Sequence, residues 1–177
     1  MLTHTINGVT LVLLRGNIVE VEADAIVNAA NAALAGGGGV DGAIHRAGGP
    51  TIMEQCRKIG GCPTGSAVAT AAGKLKARYI YHAVGPIYRQ RGDEERLLAS
   101  AYRSCLDLAE QDQIKSIAFP SLSTGAYGYP TMLAAPVALG TVIEHTKKPS
   151  SLQQILFVLF DSSTYTVYEQ ALTKLLT

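Results

Sequence analysis

The sequence predicts an α/β fold built on a mostly parallel sheet with helices on both faces. Segments of strand character alternate along the chain with segments of helical spacing. The strand segments are also continuous apolar runs, not strict in–out alternations, which is the pattern of strands covered on both sides. Composition agrees: of 177 residues, 47% are hydrophobic and 16% charged. That is enough apolar surface for a core without a disulfide or metal staple. The length fits one domain, expected over residues 1–177.

Val9–Leu14 is a β-branched and leucine-rich run ended by Arg15-Gly16-Asn17, a strand and its turn. Asp24–Ala30 is a second buried strand, followed by the glycine cluster Gly36–Gly39. Val40–Lys58 carries helical spacing through Ile44, Ala47, Ile52 and Met53, and Gly48-Gly49-Pro50 divides it into two helical pieces. Gly65–Ala72 and Tyr79–Val84 read as a strand pair. Glu94–Gln111 is an amphipathic helix with Leu97, Leu98, Ala101, Leu106 and Leu108 on one side. Ser116–Pro120 is a strand, Ser121–Pro130 a small-residue loop and Thr131–Lys147 a helix. Ile155–Phe160 is the last buried strand, and Tyr165–Leu175 closes the chain as a helix. No basic-plus-apolar leader follows Met1 and no apolar run is long enough for a bilayer, so a cytoplasmic protein without membrane contact is expected.

Charge and motifs narrow the function. The formal net charge is +1 with Lys and Arg scattered, so duplex nucleic acid is not an expected partner. The cysteines, Cys56, Cys62 and Cys105, are odd in number and form no CxxC, so neither a disulfide framework nor a metal site is read. Gly73-Lys74 is followed by Leu75, which excludes a P-loop. Gly37-x-Gly39-x-x-Gly42 fits the dinucleotide pattern, but the acidic residue expected about 20 residues later is missing. Cys62-Pro63-Thr64 lacks the ligand set of a zinc base deaminase.

In an open α/β sheet, ligands bind beyond the carboxyl ends of the strands. Two loops qualify. In the first, Asn31–His45, four consecutive glycines suit a backbone that turns sharply and approaches a ligand, with free amides at a helix start as an anion site. A flexible surface turn is the competing reading. The second, Ser121–Tyr129, offers Ser123 and Thr124 hydroxyls, permissive Gly125 and Gly128, and Tyr127 to lie over a sugar; Tyr127 and Tyr129 could equally cap the sheet edge. Together the loops suggest a pyrophosphate held between two backbones.

Asp41 and His45 stand four apart at a helix start and share a face. Beside a bound pyrophosphate, Asp41 would become a better base, with His45 orienting it or exchanging its proton. Asn31 could hold a ribose hydroxyl without adding charge. The alternatives are a carboxylate that only favours the helix dipole and a packed helical histidine. His82, inside an apolar strand, reads as a satisfied buried histidine, and His4 and His145 have no acidic or thiol partner nearby and are assigned no role. Phe160, ending the last strand, either stacks on a base or belongs to the core.

Gly16-Asn17-Ile18, DAIVNAAN (Asp24–Asn31), GGGGVDGAIHRAGGP (Gly36–Pro50), CPTGSAV (Cys62–Val68), Tyr81–Pro86 and FPSLSTGAYGYP (Phe119–Pro130) occur in an order that resembles the macrodomain family, in its MacroD-type branch. The likeness runs from about Leu11 to Leu176 and is nearest the bacterial O-acetyl-ADP-ribose deacetylases of that branch. It implies a three-layer α/β/α sandwich on a mixed sheet of about six strands, and ADP-ribose as ligand. Asn31, Asp41 and His45 match the branch's distal-ribose and catalytic positions. Gly38, Gly39 and Val40, with Ser123, Thr124, Gly125, Ala126 and Tyr127, match its diphosphate and distal-ribose loops. Asn17 and Phe160 match positions near the adenine, and Ile18 belongs to the same ADP-ribose-binding set. Asn17 stands where the family usually has Asp; it keeps a carbonyl acceptor for the adenine amino group but loses the charge.

The expected activity is therefore hydrolysis of an ester on ADP-ribose without metal or cofactor. The ester is either that of O-acetyl-ADP-ribose or one joining ADP-ribose to an acidic side chain of a protein. The implied partners are ADP-ribose, O-acetyl-ADP-ribose and mono-ADP-ribosylated proteins. The rival class is a non-catalytic reader of ADP-ribose marks, which needs the loops and the stacking aromatic but not Asn31, Asp41 and His45 together. A single-stranded nucleic-acid binder is a third reading, poorly served by the weak positive charge.

Overall fold

The computed structural model describes residues 1–177. Its sheet has seven strands in the order β1-β2-β7-β6-β3-β5-β4. These are β1 (Leu2–Ile6), β2 (Val9–Arg15), β3 (Ala25–Ala29), β4 (Ala67–Ala71), β5 (Tyr79–Ala83), β6 (Ser116–Phe119) and β7 (Gln154–Leu159). From β2 to β5 every neighbouring pair is parallel; only β1 and β4, at the two edges, run antiparallel to their neighbours.

The strand beyond the expected six or so is β1. Its residues alternate between half-buried and exposed, so no apolar run marks it. It joins β2 through Asn7-Gly8, both at positive φ (52° and 84°), in a two-residue hairpin closed by Ile6 opposite Val9. Positive φ at both central residues is what the twist of a tight hairpin requires, and Asn-Gly provides it cheaply.

Strand pleating sends alternate residues to opposite faces. Ala25 and Val27 of β3 face a cluster of 29 buried residues that includes Leu98 and Tyr102 of α3 (Glu94–Gln111), Leu139 of α4 (Thr131–Thr146) and Tyr168 of α5 (Ser162–Leu176). Ile26 faces a cluster of 17, with Ile44 of α1 (Gly39–Gly48) and Ile52 and Cys56 of α2 (Pro50–Ile59). The result is an α/β/α sandwich. Each fully buried Leu, Ile or Phe contributes about 1.5–3 kcal/mol, so both layers are held by apolar burial. The break between α1 and α2 falls at Gly49, at φ 91°, with Pro50 starting the second helix.

Topology positions the site. From β3 the chain adds β5 and β4 on one side of the sheet, then crosses to add β6 and β7 on the other. The connections leaving β3 and β6 therefore diverge at their carboxyl ends and open a crevice. No helix is long and apolar enough to cross a membrane.

Candidate functional site

The loops leaving β3 and β6 line one cavity of about 420 Å³, within the roughly 300–1,000 Å³ common for small-molecule sites. Ala29–Asn31 and Gly37–Asp41 form one wall, and Ser121–Ser123 with Gly125–Tyr127 the other; Gly85, just after β5, lies between.

Asn31 braces the first loop. Its Nδ2 donates to the Gly36 carbonyl at 2.9 Å and its Oδ1 accepts from the Ala35 amide at 3.0 Å. A carboxamide has two donors and two lone pairs, so one of each remains for a ligand. Gly36 and Gly39 hold φ of 82° and 56°, conformations that side chains resist. Helix α1 starts at Gly39 with Gly38 as an N-cap that provides no side-chain acceptor. The backbone N–H groups of Gly37, Gly38, Gly39, Val40 and Asp41 donate to no protein group. This is the orphan set of a helix N-terminus, on residues that line the cavity.

The second loop is pinned from below. Leu122 N–H donates to the Tyr102 hydroxyl at 2.9 Å, and Ser121 Oγ lies 2.8 Å from the Tyr168 hydroxyl. Thr124 Oγ1 donates to Ser121 Oγ at 2.9 Å, and Tyr129 N–H to the Ser123 carbonyl at 2.9 Å. Ser123 itself adopts φ 67°. The N–H groups of Ser123, Thr124, Gly125, Ala126 and Tyr127 also donate to no protein group. The two tyrosines divide: Tyr127 lines the cavity, whereas Tyr129 is buried with its ring 4.8 Å from that of Tyr88.

Asp41 is the carboxylate of the first wall and is only 6% exposed. His45 Nε2 stands 3.2 Å from its Oδ1, the contact expected of residues four apart. The same oxygen accepts from Asn28 Nδ2 at 2.8 Å. Asn28 Nδ2 also meets His82 Nδ1 at 3.0 Å, and His82 Nε2 meets Thr70 Oγ1 at 2.8 Å. Burial, and secondarily the nearby His45, hold the His82 imidazole down at about 4, so it is neutral at physiological pH. Burial, then the Asp41 charge, pushes the Cys56 thiol up. Three buried side-chain polar atoms lack a partner: Asn28 Oδ1, His45 Nδ1 and Ser123 Oγ. Each belongs to this wall or to the residues directly behind it.

His45, Cys56 and His82 bring potential metal-ligand atoms within 4.8 Å of one another. Both His82 nitrogens already serve Asn28 and Thr70, so an ion there would have to displace one of those bonds.

Not every expected residue lies in the cavity wall. His45 and Thr124 stand behind it, through Asp41 and Ser121 respectively. Asn17, Ile18 and Phe160 lie outside this cavity. Asn17 caps the turn Ile18–Glu20, its Oδ1 accepting from Val19 N–H at 3.2 Å, and Ile18 is buried. Phe160 is 76% exposed, which removes the core reading for it. His145 is a correction: its Nε2 lies 2.7 Å from Glu110 Oε2, an acidic partner 35 residues away in sequence. The sequence reading overlooked Gly85 and the Asn28–His82 pair. The available signal was a polar side chain in each of two otherwise apolar strands, since buried polar groups need partners.

Known proteins resemble this chain over nearly its whole length. The Macro domain family model matches residues 27–138. A macro domain-containing protein of Caldanaerobacter subterraneus subsp. tengcongensis is 55% identical over 168 residues, covering 92% of this chain and 95% of its own. An O-acetyl-ADP-ribose deacetylase of Salmonella gallinarum is 50% identical over 169 residues, covering 93% and 94%. Among solved structures, the Oceanobacillus iheyensis macrodomain with ADP superposes with a TM-score of 0.95 at 41% identity, covering 99% of this chain and 96% of that one. A Trypanosoma brucei macrodomain in complex with ADP-ribose gives a TM-score of 0.87 at 40% identity, covering 92% of this chain and 68% of that one. The chain belongs to the macro domain family.

Proposed function

We propose that this protein binds ADP-ribose across the β3–β6 crevice and hydrolyses an ester attached to its distal ribose. One observation carries the reading: two loops rich in backbone N–H groups without protein partners line one cavity, whose wall also carries the Asp41 carboxylate. A diphosphate is the ligand that such a doubled set of amides suits, because it accepts hydrogen bonds from both sides. The similarity to a Salmonella O-acetyl-ADP-ribose deacetylase and to a Trypanosoma macrodomain in complex with ADP-ribose supports the same ligand and the same bond.

In this reading Asn31 and Tyr127 fix the distal ribose. Asp41 takes a proton from a water held beside the diphosphate, and the oxygen of that water attacks the ester. The C–O bond breaks, and the departing oxygen receives a proton. His45 orients the carboxylate through its Nε2. Positioning supplies much of the rate, and general-base action about 10²–10⁴-fold. Gly38, Gly39, Val40 and the Ser123–Ala126 backbone hold the diphosphate, while Asn17, Ile18 and Phe160 serve the adenine end.

Two esters fit: the acetyl ester of ADP-ribose, attacked at its acyl carbon, and a glutamyl ester of protein-linked ADP-ribose, attacked at the anomeric carbon. Turnover of each in ¹⁸O-water tests the proposal. Label in the released acetate identifies acyl attack; label on the ribose identifies anomeric attack. Tight ADP-ribose binding with no turnover of either ester would make the protein a reader instead.

A further inference from the structure

Behind Asp41 lies a buried chain of hydrogen bonds that the cavity wall does not explain. It runs from β4 through β5 and β3 to α1, by way of Thr70, His82, Asn28 and Asp41. All four are at most 6% exposed. Its donor directions can be read link by link. Asp41 Oδ1 accepts from Asn28 Nδ2, because turning that amide over would set its oxygen against a carboxylate. Asn28 Nδ2 gives its other hydrogen to His82 Nδ1, which therefore presents a lone pair. His82 then carries its hydrogen on Nε2, toward Thr70 Oγ1, whose own hydrogen can go to the Ala71 carbonyl 3.0 Å away. One assignment therefore satisfies every link, with His82 neutral.

The cost of this arrangement is visible. Asn28 is fully buried in the middle of β3, beside its register partner His82, and its Oδ1 has no partner. A buried acceptor left unpaired costs free energy, and an apolar side chain would avoid that cost. What the amide provides in exchange is a donor fixed against Asp41 from behind, opposite the face that the carboxylate turns to the cavity.

We infer that Asn28 and His82 are positioning residues for the reaction: His82, as the Nε2–H tautomer facing Thr70, orients the Asn28 amide so that it holds Asp41 in place. This rests on the hydrolase reading above. The other titratable groups around the carboxylate are His45 on its own helix and Cys56 from α2. His45 touches the same oxygen and is left intact by the variants below.

Steady-state hydrolysis of O-acetyl-ADP-ribose, with ADP-ribose affinity by calorimetry, tests the inference on N28A and H82F. For N28A, kcat is expected to fall roughly ten- to hundredfold, a part of what a general base provides, with ADP-ribose Kd within about threefold. The loss should thus fall on kcat and spare affinity, whereas a merely structural role would weaken turnover and binding together. H82F keeps a ring in the strand, serves if N28A fails to fold, and should show a smaller fall in kcat with Kd unchanged. Long-range ¹H–¹⁵N spectra of the wild-type protein should show His82 as the neutral Nε2–H tautomer at pH 7. A protonated ring or the Nδ1–H tautomer overturns the chain. Active wild type with unchanged kcat in both variants overturns the positioning role alone. Wild type that turns over no ester overturns the hydrolase reading and the kinetic role with it.

Discussion

Gly42 packs directly against the carbonyl oxygen of Gly37, so that a Cβ at position 42 would stand 2.6 Å from that oxygen. The first turn of α1 and the glycine loop before it are thereby pressed together, beside the loop's unpartnered N–H groups.

Gly42→Ala should therefore disturb binding more than folding. The loop must shift to admit the methyl group, at about 1–3 kcal/mol for overpacking. The expected result is about a tenfold or greater loss of ADP-ribose affinity by calorimetry, with a cooperative melt retained. Unchanged affinity would show that the loop amides do not hold the diphosphate.

Phe160→Ala separates stacking from stability. The ring is 76% exposed, so truncation should change folding free energy by no more than about 0.5 kcal/mol. If the ring covers adenine, ADP-ribose binding should weaken by about 1–3 kcal/mol. Ribose 5-phosphate, which lacks the base, should bind wild type and variant alike. Equal ADP-ribose affinities would remove Phe160 from the site.

Asn17→Asp tests the adenine end. The Asn17 carbonyl oxygen already accepts from Val19 N–H at 3.2 Å, and an Asp oxygen can keep that cap. The added charge should strengthen a bond from the adenine amino group, since charge-assisted bonds are about twice as strong as neutral ones. ADP-ribose should bind more tightly, and its preference over the inosine analogue, which lacks that amino group, should widen. No gain, or a loss, would contradict the assignment.

The buried His82 sets a pH dependence of stability. Its ring is held at about 4 against an ordinary 6.5. Between those values the unfolded chain binds a proton that the folded protein refuses, so stability rises with pH across that window and falls on acidification. The full difference is about 3 kcal/mol at 1.36 kcal/mol per pH unit. Urea melts at pH 4 and pH 7 should show it, and H82F should flatten the slope. A wild-type protein equally stable at both would mean that His82 is not buried as a neutral ring.

Most of the fold was legible because its elements announce themselves locally. Glu94–Gln111 carries a clean amphipathic stripe, and the helix found there has the bounds read from the sequence. Gly49-Pro50 likewise divides two helices as expected. β1 escaped because it has only Leu2 and Ile6 to bury, although Asn7-Gly8 was a hairpin signal. In the site, the two loops and the Asp41–His45 contact followed from spacing and strand order. The Asn28–His82 pair and His145–Glu110 did not, because their partners are 54 and 35 residues apart and meet only through sheet register and helix packing. Gly85 carries no motif of its own; its role appears only where Ser123 leaves it no room for a Cβ.

Asp41→Ala, measured twice on one preparation, bears most directly on the central claim that a carboxylate beside a diphosphate cradle activates water. ADP-ribose should still bind with near-native affinity, because the loop amides remain, while ester hydrolysis falls by about 10² or more. Hydrolysis at the wild-type rate would contradict the account.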